Sequence, residues 1–92
     1  MFVIDDEIHC ELQEGRFVSF AEAYKEVRLR SLIPWNEAPN VAPCMSWRTC
    51  GRVYEIVEYD DSFKPWLELQ RVPIFKISAA GVKWLRVIDQ KI

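Results

Sequence analysis

Even-numbered positions at the start of the chain read Phe2, Ile4, Asp6, Ile8, Cys10 and Leu12; odd positions read Val3, Asp5, Glu7, His9, Glu11 and Gln13. Alternation with period two predicts a strand with one buried face, because successive side chains point to opposite sides of a sheet. Asp6 interrupts the apolar side. A bulge near Asp5–Asp6 would absorb it; an inward functional carboxylate is the alternative. Glu14-Gly15 then reads as a turn and Arg16–Val18 as a short return strand.

The period changes at Ser19-Phe20-Ala21-Glu22, a capping box in which Ser19 accepts from the N–H of Glu22 and the Glu22 side chain reaches back. The helix it opens is expected to run from Phe20 to about Leu32, stopping ahead of Pro34 because a residue before proline resists helical geometry. Phe20, Ala23, Tyr24 and Val27 form its apolar stripe. Glu22, Lys25, Glu26, Arg28 and Arg30 fall on the wet side, with Glu26 and Arg30 spaced for an i,i+4 pair.

Pro34–Gly51 has no period at all. It holds three of the five prolines, two of the four tryptophans and two of the three cysteines. Such proline density forbids a helix and breaks a strand ladder. Trp35, Val41, Met45 and Trp47 are residues that a solvated linker avoids, so an ordered loop lying across one face of the domain is expected.

Beyond Gly51, Arg52–Tyr59 carries apolar groups on both faces, Tyr54 and Ile56 on one and Val53, Val57 and Tyr59 on the other. That is the mark of a central strand covered twice. One helix covers one side; the tryptophan-rich loop is the candidate for the second, and another subunit is the alternative. Asp60-Asp61-Ser62 is a turn. Trp66–Ile77 puts Leu67, Leu69, Phe75 and Ile77 in phase, interrupted by Pro73, which implies an edge strand, a bulge or two short strands. A hairpin at Ser78–Gly81, with Gly81 left-handed, would pair Ile77 with Val82 and Phe75 with Trp84 inside, and Lys76 with Lys83 outside. The competing reading makes Ser78 the cap of a helix with a Trp84, Leu85 and Ile88 stripe.

Composition narrows the classes. Ninety-two residues make a single small globular domain, half apolar and 28% charged. No apolar run is long enough for a membrane span. Acids stand where a signal peptide would be apolar, so a cytosolic protein with reduced thiols is expected, with no membrane association. An odd cysteine count argues the same way. The net charge of −2 divides unevenly: residues 1–15 carry Asp5, Asp6, Glu7, Glu11 and Glu14 and no base, whereas residues 62–92 carry six bases against Glu68 and Asp89. The two ends can complement each other within one fold or between subunits. Overall acidity argues against nucleic acid.

The residues present could support four kinds of chemistry. A metal site would draw on Cys10, Cys44 and Cys50, but C-x₅-C is off the usual zinc spacing, and His9 points away from its neighbour Cys10 on a strand. A thiol nucleophile at Cys44 or Cys50 would depend on His9 as base, and His9 belongs to a solvated row beside Glu7 and Glu11. Asp5-Asp6-Glu7 and Glu58–Asp61 would form an acid cluster if their strands adjoin, although acids at strand ends are ordinarily solvated. The fourth is the surface itself. Tryptophan and arginine are enriched where partners dock, which singles out Trp35 and Trp47 beside Arg48 and Arg52; Trp84 is expected to fill the core.

The expected architecture is α+β, one amphipathic helix on a mostly antiparallel sheet of about four strands, with the Pro/Trp-rich loop over part of it. The function expected is non-enzymatic, with no cofactor: binding of another protein or of a second copy of itself, as a regulatory, immunity-type or accessory module. A small thiol or metal protein built on Cys44 and Cys50 is the alternative.

Overall fold

The alternating segment at the start of the chain forms β1, Phe2–Asp6, but ends sooner than its pattern suggests. In this computed structural model, which describes residues 1–8, 15–41 and 51–85 and the backbone of 11–12, the cause is the Asp6 side chain. Its Oδ1 accepts from the Ile8 N–H at 3.1 Å, turning the chain at Glu7–Ile8. A short polar side chain that bonds to backbone two residues on favours a turn over a continuing ladder. The chain returns as β2, Glu11–Leu12, antiparallel to β1 with Asp5 opposite Leu12. No bulge absorbs Asp6: β1 pairs with β3 in one unbroken register from Phe2 opposite Glu58 to Asp6 opposite Tyr54. The expected return strand at Arg16–Val18 reduces to one bridge, Phe17 to Phe2, with both bonds at 2.9 Å.

The helix α1 is Phe20–Arg30. Ser19 caps it as anticipated, its Oγ accepting from the Glu22 N–H at 3.2 Å, while the Glu22 carboxylate accepts from the N–H of Val18 at 3.4 Å. Phe20, Ala23, Tyr24 and Val27 all pack into the core. The Glu26–Arg30 pair forms at 3.0 Å, but Arg30 is buried instead of lining the wet side.

The sheet contains β3 (Arg52–Asp60), β4 (Leu67–Ser78) and β5 (Gly81–Trp84) besides β1 and β2, in the order β2-β1-β3-β4-β5, every neighbouring pair antiparallel. One helix on an antiparallel sheet is therefore the α+β arrangement expected. Pairing puts Ile4, Tyr54, Ile56, Phe75 and Ile77 on the face where α1 packs, and these form the core with Ala23, Val27 and Ile74. The opposite face of β3 is also shielded, since Val3 and Val57 are buried there. β3 is thus a central strand closed on both sides, as its sequence implies.

β4 stays one strand across Pro73 because the register shifts beside it, between Tyr54 and Glu55, leaving Ile74 as the extra residue. A second shift falls at Glu58–Tyr59 and displaces Leu69. Leu69 is left out of the ladder by the second shift, and Leu67, opposite Asp60, regains the phase of Phe75 and Ile77 but lies at the end of the strand, so both leucines are exposed. The β4–β5 hairpin has the register expected: Ile77 opposite Val82, Lys76 opposite Lys83, Phe75 opposite Trp84. Gly81, at φ 109°, supplies the positive dihedral its turn needs. The competing helix capped by Ser78 does not form, because Gly81–Trp84 is strand; residues 86–92, including Ile88, lie outside the described residues.

The two glycines of this hairpin corner differ in kind. A Cβ on Gly51 would fall inside contact distance of the Ile77 carbonyl oxygen, whereas a Cβ on Gly81 meets nothing within 4 Å. Gly51→Ala is expected to cost about 1–3 kcal/mol, at the upper end because a backbone oxygen cannot rotate aside. Gly81→Ala meets no clash but is strained by the positive φ itself, and is expected to cost about 1–2 kcal/mol. Urea melts of both variants check the ranking.

Candidate functional site

Two polar clusters and one exposed edge are the places where this fold departs from simple packing. The first cluster lies on the helix side, where Asp6 and Arg52 are in phase with Ile4 and Tyr54 and so must point inward. Asp6 Oδ2 accepts from Arg52 Nη1 at 2.9 Å, and Asp6 Oδ1 accepts from the Val53 N–H at 3.1 Å. Arg52 Nη2 donates to the Val41 carbonyl at 2.8 Å. Both side chains of this ion pair are out of solvent, at 0% and 6% exposure.

Asn40 extends the network. Its Nδ2 donates to the carbonyls of Arg30 and Ile33, both at 2.8 Å, satisfying the end of α1, and its Oδ1 accepts from the Tyr54 hydroxyl at 2.9 Å. The Arg30 guanidinium lies over the Tyr54 ring, 5.2 Å from its centroid. Burial raises the Tyr54 phenol above its ordinary value despite Arg30 and Arg52, so the hydroxyl keeps the proton it donates. The first part of the Pro34–Gly51 loop is ordered by these contacts: residues 34–41 form successive turns, with the Asn40 N–H bonded to the Glu37 carbonyl at 2.8 Å. Residues 42–50 lie outside the described residues.

The second cluster occupies the opposite face. Arg71 Nη1 donates to Asp5 Oδ2 at 2.8 Å and to Glu55 Oε1, and Nη2 donates to Glu68 Oε1 at 2.7 Å. One guanidinium serves carboxylates from β1, β3 and β4. Its proton is held more tightly than usual, first by Glu68 and then by Asp5 and Glu55 against the effect of burial. Glu55 is 1% exposed. Desolvation pushes its carboxyl above the ordinary value; Arg71 opposes this, and Glu7 and Asp5 add to it. The acids expected to meet here were Glu58–Asp61. The register instead places Glu55 opposite Asp5, while Asp60 ends β3 and accepts from the Ser62 N–H at 3.0 Å. Chemically, the cluster is an ion lock across three strands.

The sequence-predicted site residues separate. Arg52 is buried at 5% exposure and committed to Asp6, so it is not part of an open docking surface. Trp35 is partly buried and packs against the core. Trp47, Arg48 and the cysteines Cys10, Cys44 and Cys50 lie outside the described residues. Among the described residues no group of three or more histidine, cysteine, aspartate or glutamate side chains is placed to hold a metal ion. Trp84, expected in the core, packs tilted against the Phe75 ring at 5.1 Å between centroids yet stays 44% exposed. It belongs to the exposed edge: Val82, at 38%, precedes it on β5, and Leu85, at 45%, follows just past the strand. Sequence reasoning missed the edge because it treated Phe75–Trp84 as an interior pair. The Asp6–Arg52 pair had a readable signal, opposite charges on the apolar phase of two strands.

No family model, no curated protein and no solved structure matches this chain.

Two variants probe the clusters. Arg52→Ala removes the guanidinium that the buried Asp6 carboxylate accepts from and is expected to cost about 3–5 kcal/mol, read as a fall in melting temperature. Glu55→Gln acts through pH. A carboxyl raised in the folded state contributes stability below its ordinary value and loses it as pH rises through the raised one. The parent therefore loses stability from Glu55 between mildly acidic and neutral pH, and the variant does not. The difference in melting temperature, variant minus parent, is expected to be more positive at pH 7 than at pH 4, checked by paired thermal melts.

Proposed function

We propose that this chain is a non-enzymatic protein-binding module whose docking surface is the β5 edge. The observation that carries this reading is the exposure of Val82 and Trp84, on the strand at the end of the sheet, and of Leu85 just beyond it, three large apolar side chains within four consecutive positions. Edge strands are ordinarily blunted by charge or proline, because an exposed apolar edge is a template for pairing. Here the only charged residue of β5 is Lys83. Contiguous apolar exposure on a small protein marks an interaction site, and tryptophan is the commonest anchor at such sites. The two polar clusters support the same reading from another side, since their arginines and carboxylates are engaged with one another in holding strands and loop together.

The partner is another protein, and the module works in a regulatory, immunity-type or accessory role. A photo-crosslinking side chain placed at Val82 is expected to form an adduct of discrete mass in extract of the source cells. The same group placed at the exposed Lys25 of α1 is expected to form none. Trp84→Ala is expected to weaken the Val82 adduct by about tenfold, as removal of a hot-spot anchor does, while the melting curve shows that the variant stays folded. Equal labelling from both positions would refute the assignment.

A further inference from the structure

The β5 edge carries a charge pattern that specifies what binds it, an inference that rests on the protein-binding reading above. Lys76 of β4 and Lys83 of β5 are directly opposite each other, on the face away from Val82 and Trp84. Both are exposed, and among the described residues no carboxylate pairs with either. Like charges directly opposite in an antiparallel pair repel, so the hairpin holds an unrelieved cost on this face. The contrast with the other cations on the sheet is plain. Arg71 and Arg52 each meet carboxylates on neighbouring strands, and the lysine pair meets none. Among the described residues no strand lies on the outer side of β5.

We infer that β5 accepts an extended acidic segment of another protein as a further strand, with carboxylates alternating with apolar residues. Backbone groups of the edge would supply the pairing, as in other strand-addition complexes. Strands lie about 4.8 Å apart. An incoming carboxylate opposite Lys83 therefore sits one strand from Lys83 and two from Lys76, within reach of both flexible ammonium groups. On the other face its apolar neighbours lie against Val82 and Trp84. A second copy of the chain docked edge to edge about a two-fold axis fits poorly. It would bring the partner's own lysine pair to the same face and double the repulsion.

The test uses the intact protein and two blocked hexapeptides, one alternating glutamate with valine and one alternating lysine with valine, followed by backbone amide shifts and hydrogen exchange. The acidic peptide is expected to shift the amides of Val82–Trp84, to slow exchange there, and to bind more weakly as salt rises. The lysine peptide is expected to bind at least about tenfold more weakly, and Lys83→Glu to reverse the preference with a melting temperature no lower than the parent's, since the substitution also relieves the repulsion from Lys76. Equal binding of the two peptides, shifts confined to other elements, or no binding of the acidic peptide overturns the inference. Association of the protein with itself at β5, without peptide binding, also overturns it. If the acidic peptide fails while the Val82 crosslink still captures a protein, the acidic-strand inference falls and the protein-binding reading stands.

Discussion

The Asp6–Arg52 pair is the contact on which the rest of the structure depends. Asp6 ends β1 and Arg52 begins β3, so one buried bond joins the two strands where the chain could most easily slip. Asp6 also accepts from the N–H groups of Ile8 and Val53, and Arg52 reaches the Val41 carbonyl. Turn, strand pair and loop therefore share one charged centre. Low dielectric strengthens each of these bonds and makes any missing partner expensive. An apolar pair would pack here as well. What the ions add is direction: a one-residue slip of β1 against β3 would carry Asp6 to the outer face and strand Arg52 inside.

Charge is distributed by face. The acidic start of the chain and its basic later half complement each other within the fold, through Asp6 to Arg52 on the helix side and Asp5 to Arg71 on the other. Neighbouring residues of one strand thus anchor opposite faces of the sheet, a consequence of the two-residue period. Arg71 is shared by three carboxylates, and its attraction does not offset the desolvation that raises the Glu55 carboxyl, to which Glu7 and Asp5 add. No such compensation reaches Lys76 and Lys83, and the difference separates the parts of the sheet that hold the fold from the part that faces outward.

The tryptophans exchange the roles that their neighbourhoods suggest. Trp35 follows a proline in an irregular stretch, yet packs on the core because Asn40 and Tyr54 draw that stretch onto the end of α1. Trp84 sits in regular alternation, yet remains half exposed because β5 is the last strand and α1 packs over β1 and β3. Edge position, not local pattern, decides which apolar side chains are available to a partner. No helix among the described residues is long and apolar enough to cross a membrane.

Local chemistry alone determined much of this protein. The capping box set the start of α1, the stripe Phe20-Ala23-Tyr24-Val27 chose its buried face, and Gly81 with the flanking alternation set the register of the β4–β5 hairpin. These depend on neighbours within a few residues, where propensity and period act directly. Three other features could be settled only by long-range contact. Asp6 and Arg52, 46 positions apart, become a pair only once β1 lies beside β3. Asp5 meets Glu55 instead of Glu58–Asp61 because register is a property of two strands together. Val82 and Trp84 are exposed because sheet order ends at β5, and the number of covered faces is fixed by the assembled layers, which no single stretch of sequence encodes.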